Sequence, residues 1–212
     1  MKNLFNLDNP FFQLLTGLAN LFLVNVLFLL CCLPVFTIGA SCAAAFKTVK
    51  EISEDTCGGI CKTFFAAFRA NFKQATGAWL TALVVLAALV CDFLLLRLYF
   101  AGTLYTILFV VLGVLAFLCI SVLCYMFPLI GHFENKVKEH LFNALILTIV
   151  HFPRSLGMVA LHILPLALAL FAPQAFIYTL LLWVMTGFSF LFLLDAKLLA
   201  PVFEKLENMA NN

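Results

Sequence analysis

The sequence predicts an all-α fold: a polytopic membrane helical bundle of five transmembrane helices, with one or two further helices on the cytoplasmic face. Three observations lead there. Of 212 residues, 65% are apolar, 15% aromatic and only 10% charged, against about 25% charged in soluble domains, too few polar side chains to wet a compact surface. The charges leave gaps of 38 residues between Asp8 and Lys47, 18 between Lys73 and Asp92, 36 between Arg97 and Glu134, and 40 between Arg154 and Asp195. No gap alternates apolar with polar residues, and stretches such as 80–89 and 104–118 are apolar at nearly every position, the pattern of lipid-facing helices rather than barrel strands. A formal charge of +2 from 12 basic and 10 acidic residues gives no strong field, which excludes a nucleic-acid binder.

Breakers divide the gaps into five spans within a single membrane domain, 1–212. The first covers about 14–33 and stops at Pro34, which has no amide hydrogen to donate. The second covers about 76–96. The third covers about 103–127 and is expected to stop at Pro128. The last gap is too long for one span, and the breaker at Ala172, Pro173 and Gln174 makes it a hairpin of spans at about 156–171 and 175–194. Pro165 kinks the fourth span without ending it, because neighbouring helices re-satisfy the freed carbonyl.

Orientation follows from the basic residues, which are retained on the cytoplasmic side. Ten of the twelve, among them Lys47, Lys50, Lys62, Arg69, Lys73, Lys136, Lys138 and Arg154, fall in the loops 34–75 and 128–155 or in the C-terminal tail; only Lys2 and Arg97 fall opposite. The N-terminus is therefore expected outside and the C-terminus inside. A cleavable signal peptide is not expected: the first apolar stretch is long and no small-x-small site closes it before Pro34.

The first cytoplasmic loop carries its own pattern. Phe64, Phe68 and Phe72 recur every four residues beside Phe65, with Lys62, Arg69 and Lys73 on a neighbouring stripe. That spacing describes either an interfacial helix with its rings in the acyl boundary and its cations at lipid phosphates, or a helix whose rings pack on the protein's own helix ends. Residues 136–152 form a second such element, too short to span, lying along the face or dipping partway before Pro153 turns the chain.

The reactive residue types fall in patterns that point away from chemistry. Six of the eight cysteines lie in or beside apolar helices, where they act as small hydrophobes. Cys57 and Cys61 are spaced one residue wider than a zinc or redox C-x-x-C, and no second pair follows. His140, His151 and His162 would align on one continuous helix, but Pro153 interrupts it. His162 lies inside a span and admits two readings, a functional titratable group or a neutral imidazole bonded between helices. Asp92 with Arg97, and Asp195 with Lys197, lie near span ends, where a paired or snorkelling charge is the ordinary outcome. No metalloprotease, nucleophile-elbow or phosphate-loop motif occurs, so no enzyme, metal or cofactor is expected.

Span one is the most polar, with Gln13, Thr16, Asn20 and Asn25. Its amides need partners inside a bundle, which makes it a central helix. After Pro34, Thr37 is placed to cap a following helix, and Gly39 opens a run of small residues that allows close backbone approach. The same break admits a second reading, a solute site of the broken-helix transporter type.

The stretch from Leu23 to Ala40, with Asn25, Pro34, Thr37 and Gly39, resembles the N-terminal signature of the YesL-like bacterial membrane proteins, a family described as a domain of unknown function. Residues 65–75, with Phe65, Phe68, Asn71 and Phe72, are similar to its phenylalanine-rich stretch. Phe127 to Asn135, with Asn143, Ala144, His151 and Pro153, resembles its central motif, and Gly187, Ser189 and Pro201 its C-terminal part. The resemblance implies a bacterial plasma-membrane protein without assigned activity, often encoded beside carbohydrate ABC-transporter genes. It thus implies a partner among transporter subunits or another membrane protein, besides the lipid bilayer. The chain lacks the cytoplasmic motif of a sugar-importer permease, so an accessory, assembly or regulatory role is expected, with a small-solute transporter or channel as the alternative.

Overall fold

A computed structural model describes residues 10–210, all helix and connecting turns. Lys2 and Asp8, which enter the charge pattern, and the N-terminus itself lie outside the described residues. Eight helices follow in order: α1 (Pro10–Cys32), α2 (Ile38–Ser53), α3 (Ile60–Tyr99), α4 (Gly102–His132), α5 (Val137–Val150), α6 (Phe152–Phe171), α7 (Pro173–Leu182) and α8 (Phe188–Ala210). A π-helical turn, Trp183–Gly187, joins α7 to α8 without a break. Five stretches are long and apolar enough to cross a membrane: α1, α3, α4, α6 and the joined α7–α8. The chain is a multi-pass membrane protein.

Side-chain neighbours fix the relative directions. Glu51 meets Thr63 and Gly39 approaches Trp79, so α2 and α3 form an antiparallel hairpin. Phe93 meets Phe109 and Trp79 meets Phe127, so α4 returns along α3. Phe28 on α1 packs on Phe188 and Phe192 while Asn25 bonds to Ser189, so α1 and α8 run the same way.

The core sits at one end of the bundle, around α2, whose residues from Gly39 to Phe46 are almost all buried. Small residues make this possible. A Cβ on Gly39 would lie 2.7 Å from Trp79 Cβ and 2.9 Å from the Phe127 ring, and one on Gly131 would lie 2.7 Å from the Ala43 carbonyl. The hairpin turn into α3 uses Gly59 at φ 134°, a backbone conformation only glycine adopts readily. Beyond the core, α3 and α4 continue as a two-helix arm whose residues are mostly exposed, the faces that lipid covers.

Three element boundaries differ from the sequence expectation. The Phe-rich stretch is not a separate interfacial helix: residues 60–75 are the first half of α3 and run unbroken into the second span. Nothing in that stretch breaks a helix, since residues 60–75 contain neither glycine nor proline. Pro128 does not stop the third span. Helix α4 continues to His132 with Pro128 buried, tolerated because surrounding helices hold the turn in place. Finally, much of the loop 34–75 is helix, since α2 occupies 38–53.

Candidate functional site

The residues singled out in the sequence fall in two places. Asn25, Pro34, Thr37 and Gly39 gather where α1 meets α2, and Phe64, Phe68, Arg69, Phe72 and Lys73 line the first half of α3. Gly39 approaches α3 at Ala75 and Trp79, about 16 to 22 Å along the helix from Phe64 at 1.5 Å per residue.

Asn25 is fully buried, and both ends of its amide are engaged. The nitrogen donates to the carbonyls of Trp183 at 3.1 Å and Val184 at 2.7 Å, and the oxygen accepts the amide N–H of Ser189 at 2.9 Å. These groups border the π turn, where the wider winding takes backbone groups out of the ordinary i to i−4 register. Asn25 supplies what the helix cannot, but span one is not the central helix its polarity predicted: Gln13 and Thr16 are exposed, Asn20 is half-buried and Leu14, Leu15, Leu18 and Leu30 are exposed, so only the face around Asn25 is inside. Its partner was not legible from residue pattern, because a π turn has no local signature.

Pro34 ends α1, and Thr37 stands at the start of α2, but its hydroxyl does not cap that helix. It points backward, within hydrogen-bond distance of the carbonyls of Cys31 and of Pro34, the latter at 2.6 Å. The carbonyls freed at the end of α1 are the more pressing need here. Trp79 donates its indole N–H to the Val35 carbonyl at 2.8 Å, pinning the break to α3.

Along α3, Phe64 is buried against the core, while Phe68 and Phe72 are half-buried and packed on it. Their rings form a ladder, with Phe64 and Phe68 centroids 6.4 Å apart and Phe68 and Phe72 5.5 Å apart. Of the two readings of this stripe, packing within the protein accounts for these three rings. Phe65, Arg69 and Lys73 remain exposed.

One polar contact was not foreseen. His162 Nε2 lies 3.3 Å from Asp195 Oδ2, and Asp195 is 2% exposed. Asp195 is thus turned inward, not paired with the exposed Lys197 at an interface, and α8 runs on well beyond it. His162 Nδ1 donates to the Met158 carbonyl at 3.0 Å. Since that carbonyl only accepts, Nδ1 carries a hydrogen, and the contact between Nε2 and the carboxyl is attractive when one further proton lies on the pair. Asp195 Oδ1 has no hydrogen-bond partner among the described residues. A side-by-side hairpin turning at Ala172 would set His162 opposite position 182, so spacing does not reveal this partner.

Of the two outcomes expected for Asp92, a paired or a snorkelling charge, the structure excludes the pair. Asp92 forms no ion pair with Arg97 or any other cation among the described residues. It stands exposed on the apolar arm, seven residues before the end of α3 at Tyr99. All eight cysteines are free, and no three His, Cys, Asp or Glu side chains converge on a metal position among the described residues.

Residues 21–93 match the model of a family described as "Protein of unknown function, DUF624". The match is consistent with the YesL-like resemblance and holds both clusters, from Asn25 to Lys73. Neither the curated proteins nor the solved structures contain a significant match to the chain.

Proposed function

We propose that this chain is a non-enzymatic accessory subunit of the bacterial plasma membrane, an assembly or regulatory partner of a carbohydrate-uptake system. In this reading its N-terminus lies outside and its C-terminus in the cytoplasm. The observation that carries it is Asp92. Nineteen residues beyond Lys73 on α3, about 28 Å, Asp92 stands at the far edge of a hydrocarbon core about 30 Å thick, on an apolar surface where no ion-pair partner among the described residues meets it. A neighbouring transmembrane helix with a basic or hydroxyl side chain would. Around Asp92, the aliphatic faces at Leu94, Leu95, Val111 and Val114 offer such a helix a broad surface.

The alternative, a small-solute transporter, places its site at the Pro34 break. Asn25 and Thr37 spend their hydrogen bonds inside the chain, which weighs against it. The test is co-purification of the tagged chain in mild detergent. A subunit of a carbohydrate ABC importer is expected with the wild type and is lost with Asp92→Leu. Recovery of the chain alone, under conditions that keep such importers intact, contradicts the proposal.

A further inference from the structure

A groove of about 520 Å³ runs between α3, α4 and α5. That is within the range of small-ligand sites, about 300 to 1,000 Å³. Its walls are apolar along most of their length, with Gly77 and Ala78 from α3, Val122 and Met126 from α4, and Leu141 from α5. On α3 it extends from Lys73 to Val85, about 18 Å at 1.5 Å per residue. Gly77, Val85 and Leu141 are exposed, so the groove is open along one side.

Midway, Thr81 donates its hydroxyl to the Gly77 carbonyl at 2.9 Å, and charge lies at one end only. Lys73 and Gln74 line it there, and the Gln74 amide donates to the Asn135 carbonyl at 3.0 Å. That bond brings the α4–α5 turn to the mouth. Lys136 and Lys138 flank the groove-lining Val137 at the start of α5. All three lysines are exposed, and none makes an ion pair among the described residues. Two carboxylates border the same turn, Glu134 and Glu139. Neither lines the groove, and Glu139 accepts the Lys136 backbone N–H at 3.2 Å. The cations stand where the apolar part of α3 begins, the level at which headgroups meet a bilayer.

We infer that this groove binds one anionic phospholipid, with an acyl chain along Gly77, Val122 and Leu141 and its phosphate at Lys73, supported by Lys136 and Lys138. A long apolar trough with a single cationic mouth matches an amphiphile with one anionic end. A soluble phosphate ester would leave the trough empty, and a neutral lipid would leave the lysines unanswered.

The test is native mass spectrometry of the detergent-purified full chain with phosphatidylglycerol or phosphatidylcholine. The wild type is expected to retain one phosphatidylglycerol, with a preference over phosphatidylcholine that falls about fivefold in Lys73→Gln. Gly77→Leu blocks the trough. A Cβ at Gly77 meets nothing within 4 Å, so the variant is expected to keep the elution profile of the wild type while losing retention of both lipids. Glycerophosphoglycerol, the headgroup without chains, is expected not to compete. Equal retention of the two lipids by the wild type, or a preference unchanged in Lys73→Gln, overturns the inference whatever the fate of Gly77→Leu. Competition by the free headgroup reassigns the mouth to soluble phosphate esters and likewise overturns it.

Discussion

Asn25 shows how a single residue can be legible in need and illegible in partner. An amide inside an apolar helix must be satisfied, and that requirement could be read from position alone; that it closes a π turn 158 residues away could not. Asn25→Leu removes the side-chain bonds to two carbonyls and takes the partner from the Ser189 N–H, at about 1–3 kcal/mol for a buried group left unpaired. The expected outcome is a clear loss of thermal stability in detergent. Asn25→Asp, which keeps only the acceptor for Ser189, should fall between. Gly131→Leu drives a side chain into the Ala43 carbonyl and should cost about 1–3 kcal/mol by overpacking, while Gly113→Leu, in open space, should be neutral by the same assay. His140 bears on pH. Burial holds its pKa below the ordinary value, against opposing contributions from Glu139 and the Asn135 backbone. The native state then binds fewer protons than the unfolded one, so stability is intact above the ordinary histidine range, near about pH 6.5, and declines as pH falls through it. The protection factors of the α5 amides, which correct for the intrinsic pH dependence of exchange, should therefore fall between about pH 7.5 and 5.5, and His140→Gln should flatten that response.

At the scale of elements, helices were readable and their ends less so. The gaps between charges located every span because lipid exposure demands apolar length. The same rule hides a helix that passes from lipid into water, since charge at Lys62, Arg69 and Lys73 marks the boundary of the span but not of α3. Pro128 misleads for a related reason: a buried proline inside a packed bundle does not end a helix as it would in water. Continuity of α3 gives a measurable length. Spin labels at Lys62 and Leu98, 36 residues apart on one helix, should give one narrow distance near about 54 Å. A broad or much shorter distribution would show a bend where the span begins.

At the scale of the molecule, alternating helix directions place the start of α1 and the end of α8 at opposite ends of the bundle. The basic residues cluster at the end that holds the core, so in a cysteine-free background Glu54→Cys and Asn208→Cys should label only from the cytoplasmic side and Gln174→Cys only from outside. Inside the core Asn25 is answered within the chain, while Ser121, His140 and Asp195 Oδ1 have no hydrogen-bond partner among the described residues; the arm of α3 and α4 carries Asp92 toward whatever adjoins it. A sequence shows that such a carboxylate exists, but not that no cation among the described residues pairs with it. Photo-crosslinking from position 95, one turn beyond Asp92 on the exposed arm, is the most direct test of association through that surface. A carbohydrate-importer subunit joined in intact membranes, and lost in Asp92→Leu, is the expected result; adducts to lipid alone, unchanged by that substitution, would contradict it.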